Sequence, residues 1–248
     1  MVKAEALLIG LNSVDPNAYD GWNGESGCWS CELDTDNIAN LLREVGGYNI
    51  HQLKTKEATS EIILSLLDGY AKRMEDGDIF TLFYSGHGGQ EPDLNGDESD
   101  GKDETLVVYD RQIVDDELSQ CWNRFAEGVR IFTLSDSCNS GTVFKSPLPE
   151  YLIGTPDNSI EVIDEMVAEL IHMSGCRDGY TSDGGMEGSA FTNAFVQVWN
   201  NGGNNCTYPV FHKRLLAQME RNGDTQISQY RKSGPVSPKY EDSLIFSI

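Results

Sequence analysis

Two side chains sit in surroundings suited to covalent chemistry. His87 stands in Leu82-Phe83-Tyr84-Ser85-Gly86-His87-Gly88-Gly89, and Cys138 in Leu134-Ser135-Asp136-Ser137-Cys138-Asn139-Ser140-Gly141. Each lies just past an apolar run that ends in a turn. Alone, a free cysteine is mostly a small buried hydrophobe and a lone histidine mostly structural. Here the thiol lies among Ser, Asp, Asn and Gly, not on an apolar face. A thiol and an imidazole delivered by loops at the ends of two neighbouring strands, flanked by glycines that let a carbonyl approach the backbone, are the parts of a nucleophilic hydrolase.

The elements that must position them follow from periodicity. Residues 4–11, 50–53, 78–84, 105–109 and 129–134 read as strands, and 34–45, 60–74 and 115–124 as amphipathic helices, so strands and helices alternate. That alternation predicts an α/β fold with a mostly parallel central sheet and helices on both faces. Functional groups of such sheets collect beyond the carboxyl ends of the strands, where His87 and Cys138 both fall. Residues 146–164 lose periodicity and carry Pro147, Pro149 and Pro156, which reads as a long surface loop. Beyond it, 166–173 reads as a strand, 188–199 and 208–221 as helices, and 243–248 as a terminal strand. One domain over residues 1–248 is expected: a larger portion, residues 1–145, carrying His87 and Cys138, then the loop 146–164, and a smaller portion, residues 165–248.

A formal charge of −22 from 40 acidic and 18 basic residues repels phosphate backbones and anionic lipid. Nucleic acid is therefore not an expected partner. Neither a signal peptide nor a membrane span is read, and six scattered cysteines suit a reduced compartment, so a cytoplasmic monomer is expected. Cys28-Trp29-Ser30-Cys31 has half the spacing of a zinc site. No second pair of that kind exists and the four histidines are dispersed, so zinc is not expected.

The ordered motifs resemble the metacaspases and bacterial orthocaspases, caspase-like cysteine peptidases of the caspase-hemoglobinase fold, over nearly the whole chain. Ala6-Leu7-Leu8-Ile9-Gly10-Leu11-Asn12 is similar to the family's first strand, Ser85-Gly86-His87-Gly88 to its histidine loop, and Asp136-Ser137-Cys138-Asn139-Ser140-Gly141 to its nucleophile loop. Gly96-Asp97-Glu98, the run from Asp100 to Glu104, Ile113-Val114-Asp115-Asp116-Glu117 and Ser174-Gly175-Cys176-Arg177-Asp178 resemble further segments of it. The resemblance implies that Cys138 attacks a peptide carbonyl and His87 protonates the leaving amine, with the amides of Gly88 and Cys138 facing the oxyanion. No third triad member is evident in the sequence.

The resemblance also implies a pocket for the residue before the cut. Cys31-Glu32-Leu33-Asp34 matches the family's Cys-x-x-Asp, which with Asp136 supplies two carboxylates, and Ser85 and Cys31 match secondary pocket positions. Two carboxylates suit arginine or lysine through charge-assisted hydrogen bonds, so protein or peptide substrates with a basic residue are expected. The ordinary reading of Asp34 is a helix N-terminal carboxylate favoured by the macrodipole. Asp103, Asp115 and Asp116 match positions through which relatives bind activating calcium. The fourth is Lys145, whose ammonium opposes a divalent cation, so calcium is expected as a regulator at most and no cofactor as a requirement. Lys145 also matches the place where relatives are cut during maturation, against the ordinary reading of an exposed lysine. Two alternatives stay open: a catalytically silent acidic module that binds a basic protein, and a ligase in which an amine replaces water at the thioester.

Overall fold

The structure is a computed structural model and describes residues 2–93, 101–137, 166–175, 184–185, 188–224 and 228–248. In chain order its principal elements are β1 (Ala4–Gly10), α1 (Cys31–Val45), β2 (Tyr48–Lys54), α2 (Ser60–Arg73), β3 (Ile79–Ser85), β4 (Gly88–Pro92), β5 (Lys102–Val107), β6 (Gln112–Val114), α3 (Asp115–Trp122), β7 (Arg130–Asp136) and β8 (Glu169–Ser174). The short strands β9 (Gly184–Gly185) and β10 (Gly188–Ser189) precede α4 (Ala190–Asn200), α5 (Tyr208–Asn222), β11 (Gln229–Ser233) and α6 (Pro238–Glu241).

The central sheet runs β11-β8-β7-β3-β1-β2. All its pairings are parallel except β11 with β8. Strands β1, β3 and β7 are buried along almost their whole length because both of their faces are covered. Leu7, Ile9, Phe80 and Leu82 point to α2 and α3, where Ile63, Leu67, Tyr70, Leu118 and Trp122 complete one core. Ala6, Leu8, Phe83, Phe132 and Leu134 point the other way, to Ile38 and Leu42 of α1, Phe191 and Phe195 of α4 and Phe211 of α5. The fold class expected from the sequence is therefore the observed one. No described helix is long and apolar enough to cross a membrane.

Three expectations change. The stretch 243–248 is not a strand of the sheet; Gln229–Ser233 takes the edge, and the terminal segment instead drives Ile245 and Phe246 into the core. Phe246, at φ 60°, packs against Phe132, Phe195 and Trp199. The short strand read at 105–109 lies at Lys102–Val107 and belongs to a separate antiparallel sheet, β4-β5-β6. The helix read from Asp34 begins at Cys31.

Candidate active site

The sheet sets the geometry. Gly10 of β1 stands opposite Ser85 of β3, and Ser85 opposite Asp136 of β7, so three adjacent strands end on one row. His87 and Cys138 each follow that row by two residues in the sequence. Cys138, Lys145 and the loop 146–164 lie outside the described residues.

His87 is held from two sides. The Tyr84 hydroxyl, buried under the loop, lies 2.7 Å from the His87 carbonyl and 2.8 Å from that of Val107. The imidazole Nε2 is 2.8 Å from the carbonyl oxygen of Gly24. A carbonyl only accepts, so Nε2 carries the hydrogen and Nδ1 is left to exchange a proton with a thiol. The Trp22 ring lies against the imidazole with centroids 4.9 Å apart. The loop between β1 and α1 thus supplies the orienting partner that motif reading missed. A backbone carbonyl leaves no residue-type signal, which is why.

Asp34 and Asp136 come together from different elements. Asp34 lies in the first turn of α1 and is fully buried; Asp136 ends β7 and is 3% exposed. Ser85 Oγ donates to Asp34 Oδ2 at 2.9 Å, and the Ser189 amide donates to Asp34 Oδ1 at 3.1 Å. Ser189 Oγ donates to Asp136 Oδ2, which also accepts from the Thr192 amide at 3.1 Å and the Thr192 hydroxyl at 2.7 Å. One residue, the N-cap of α4, therefore ties both carboxylates. Ser189 and Thr192 escaped the motif reading, although Ser-x-x-Thr ahead of an apolar helix is a recognisable cap pattern.

Two glycines admit this approach. A Cβ on Gly10 would lie 2.3 Å from the Cys31 carbonyl, so glycine lets the first turn of α1 sit on the end of β1. Gly188 has φ +118°, and a Cβ there would lie 2.9 Å from Asp34 Oδ1.

The hydrogen-bond donors named above are neutral hydroxyls and amides, and they bring two buried carboxyl groups together. Burial and the charge of Asp136 push Asp34 up to about 7, against the pull of Ser189 and Ser85. Two carboxyl groups held this closely are costly to ionise together, and a nearby positive charge favours their ionised forms.

Cys31, the remaining pocket candidate, is buried, with Cys28 and Ser85 near enough to shift its thiol. Asp103 is buried in β5, and Asp115 and Asp116 open α3. Among the described residues no group of three or more His, Cys, Asp or Glu side chains is arranged to hold a metal ion. Asp103, Asp115 and Asp116 do not form such a group among the described residues.

Comparison with known proteins fits this geometry. A caspase-domain family model, that of the C14 peptidases, matches residues 4–240. Metacaspase-1A of Aspergillus fumigatus and metacaspase-1 of Botryotinia fuckeliana are each 36% identical over 159 residues, 58% of this chain. Those matches cover 37% and 36% of the two relatives, so the chain spans little more than a third of their length. Among solved structures, protein GSU0716 from Geobacter sulfurreducens is 34% identical over 99% of both chains, with TM-score 0.82. Caspase-1 from Spodoptera frugiperda, 13% identical over 95% of this chain and 88% of its own, shares the fold alone at TM-score 0.64. A family model that leaves out only the first three and last eight residues of the chain, with metacaspase relatives beside it, decides the matter: the chain belongs to the caspase-domain family and is metacaspase-like within it.

Proposed function

We propose that this chain is a cysteine endopeptidase that cuts peptide bonds after arginine or lysine. What supports this reading above all is the pair of buried carboxylates, Asp34 and Asp136, joined by Ser189 one row below the His87 loop. A guanidinium or ammonium entering there adds positive charge beside the pair and gains charge-assisted hydrogen bonds, each worth about 1.5–3 kcal/mol. An acidic substrate side chain would face two like charges.

The reaction follows from the groups at hand. The Cys138 thiolate attacks the carbonyl carbon of the basic residue, and its oxygen becomes an oxyanion facing the amides of Gly88 and Cys138. His87, as imidazolium, gives its Nδ1 proton to the departing nitrogen, the C–N bond breaks and a thioester remains. Neutral His87 then takes a proton from water, which attacks the thioester and releases the new carboxylate and the thiol. Throughout, Nε2–H stays on the Gly24 carbonyl and fixes the ring. Calcium would act as a regulator outside these steps, and Lys145 would be the position of self-cleavage.

The test compares fluorogenic peptides ending in Arg, Lys or Asp, with calcium or with chelator, on the unmodified chain and on Cys138→Ala. Cleavage after Arg and Lys that is lost in Cys138→Ala supports the proposal. Cleavage after Asp overturns the pocket assignment, and no cleavage in any condition favours the silent acidic module.

A further inference from the structure

The Cys28-Trp29-Ser30-Cys31 pair takes no part in the peptidase steps. Cys28 is 4% exposed and Cys31 5%, and both are free thiols. Cys31 is the first residue of α1 and Cys28 precedes it by three, the spacing from which a helix start can close a disulfide. The two thiols are near enough to shift each other's ionisation, and His87 is near enough to shift that of Cys28. The approach of this segment to His87 is independently visible at Gly27, where a Cβ would lie 3.8 Å from imidazole Cε1. Gly27 and Trp29, on either side of Cys28, are both exposed, so the buried thiol lies one loop thickness from solvent.

The proton distribution in this cluster is unequal. The hydrogen bond from Cys31 and the neighbouring His87 lower the Cys28 thiol against the opposing effect of burial, while Cys31 is raised by the same contact and keeps its proton. For His87 burial works downward, but the Cys28 hydrogen bond and charge and the Gly24 carbonyl outweigh it and hold the imidazole raised. Cys28 thus has thiolate character, a protonated thiol beside it and a histidine against it. An attacking thiolate with a resolving thiol in contact is the arrangement of a peroxide-reactive dithiol.

We propose that Cys28 and Cys31 are a redox-active dithiol, oxidised by hydroperoxides, whose closure withdraws the Cys28 thiol from His87. The Cys28 thiolate attacks one oxygen of the hydroperoxide, giving a sulfenic acid and releasing hydroxide or alkoxide. The Cys31 thiol then attacks that sulfur, forming the S–S bond and releasing water. The sulfurs lose two electrons, which reduce the peroxide O–O bond. Nothing in this chemistry depends on peptide cleavage; only the significance of the His87 proton rests on the function proposed above.

The test uses the full chain carrying Cys138→Ala, which removes the other nucleophile and any self-cleavage. Treated with hydrogen peroxide, it loses two hydrogens, and peptide mapping places the bond between Cys28 and Cys31, reversibly with dithiothreitol. This occurs at least about tenfold faster than any oxidation of Cys121, whose thiol is pushed up to about 11 by burial. Adding Cys31→Ala leaves Cys28 as a sulfenic acid that dimedone captures. Nuclear magnetic resonance of His87 shows its imidazole titrating lower in the oxidised protein than in the reduced one. Peroxide-treated Cys138→Ala with both thiols still free overturns the proposal, as does a Cys28–Cys31 bond that leaves the His87 titration where it was.

Discussion

Replacing Asp34 with asparagine acts on stability and on substrate in opposite directions. The amide fits the site: its oxygen keeps the Ser189 amide, and its nitrogen donates to Ser85 Oγ, whose hydroxyl rotates to accept. What is lost is the charge. Asp34 holds its proton up to about 7 in the folded chain, and an unfolded aspartate releases its own near 4. Between those values the folded state binds more protons than the unfolded one, so stability falls as pH rises through the interval. At ~1.4 kcal/mol per unit, the two units from ~pH 5 to ~pH 7 remove about 2–3 kcal/mol that the Asp34→Asn protein does not lose. Urea denaturation of both proteins at about pH 5 and about pH 8 should therefore show Asp34→Asn gaining about 2–3 kcal/mol on the unsubstituted chain across that range. In the same preparations kcat/KM on arginyl peptides should fall about 30- to 1,000-fold, the equivalent of about 2–4 kcal/mol, mostly through KM. A stability difference that stays constant with pH would mean that Asp34 ionises at no cost. The pocket would then lack the costly ionisation that a cationic side chain is proposed to relieve.

Ser189→Ala removes the α4 cap and a donor to Asp136 together, so urea denaturation should show a loss of about 1–2 kcal/mol and arginyl peptides a raised KM. Gly188→Ala puts a methyl against Asp34 Oδ1 at a φ that alanine resists, and should cost about 1–3 kcal/mol while weakening arginine more than it changes kcat. Tyr84→Phe withdraws the hydroxyl from the His87 and Val107 carbonyls; about 1–3 kcal/mol of stability should go, with kcat falling and KM for arginine held. A Tyr84→Phe protein with unchanged kcat would remove this hydroxyl from the support of the histidine loop.

The parallel core is legible in the sequence because β1, β3 and β7 are buried on both faces and apolar residues crowd their centres, and α2 because its polar and apolar residues alternate with the helical period. The start of α1 is not. Its backbone is capped from far away: the Glu32 amide donates to Asn12 Oδ1 at 3.0 Å, while Ser30 at the cap position makes no side-chain bond. Strand β11 escapes notice because Gln229-Tyr230-Arg231-Lys232-Ser233 is polar, as an edge strand that resists further pairing must be. The run Leu244-Ile245-Phe246 reads as a strand because packing into a core from a loop carries no periodicity of its own. In the site, side-chain chemistry signals Asp34, Asp136 and His87. Ser189 and Gly24 act through a cap and a carbonyl, and their importance emerges only once distant segments are folded together.

The row formed by Gly10, Ser85 and Asp136 ties the proposed selectivity to correct assembly. Side chains alternate across a sheet, so a slip of one residue between β3 and β7 turns Ser85 or Asp136 to the opposite face and puts Tyr84 or Ser135 in its place. A wrongly aligned copy then lacks the pairing of Asp34 with Asp136 that the proposed preference for a cationic side chain requires. On the proposed function, the register that builds the sheet also builds the preference for a basic residue.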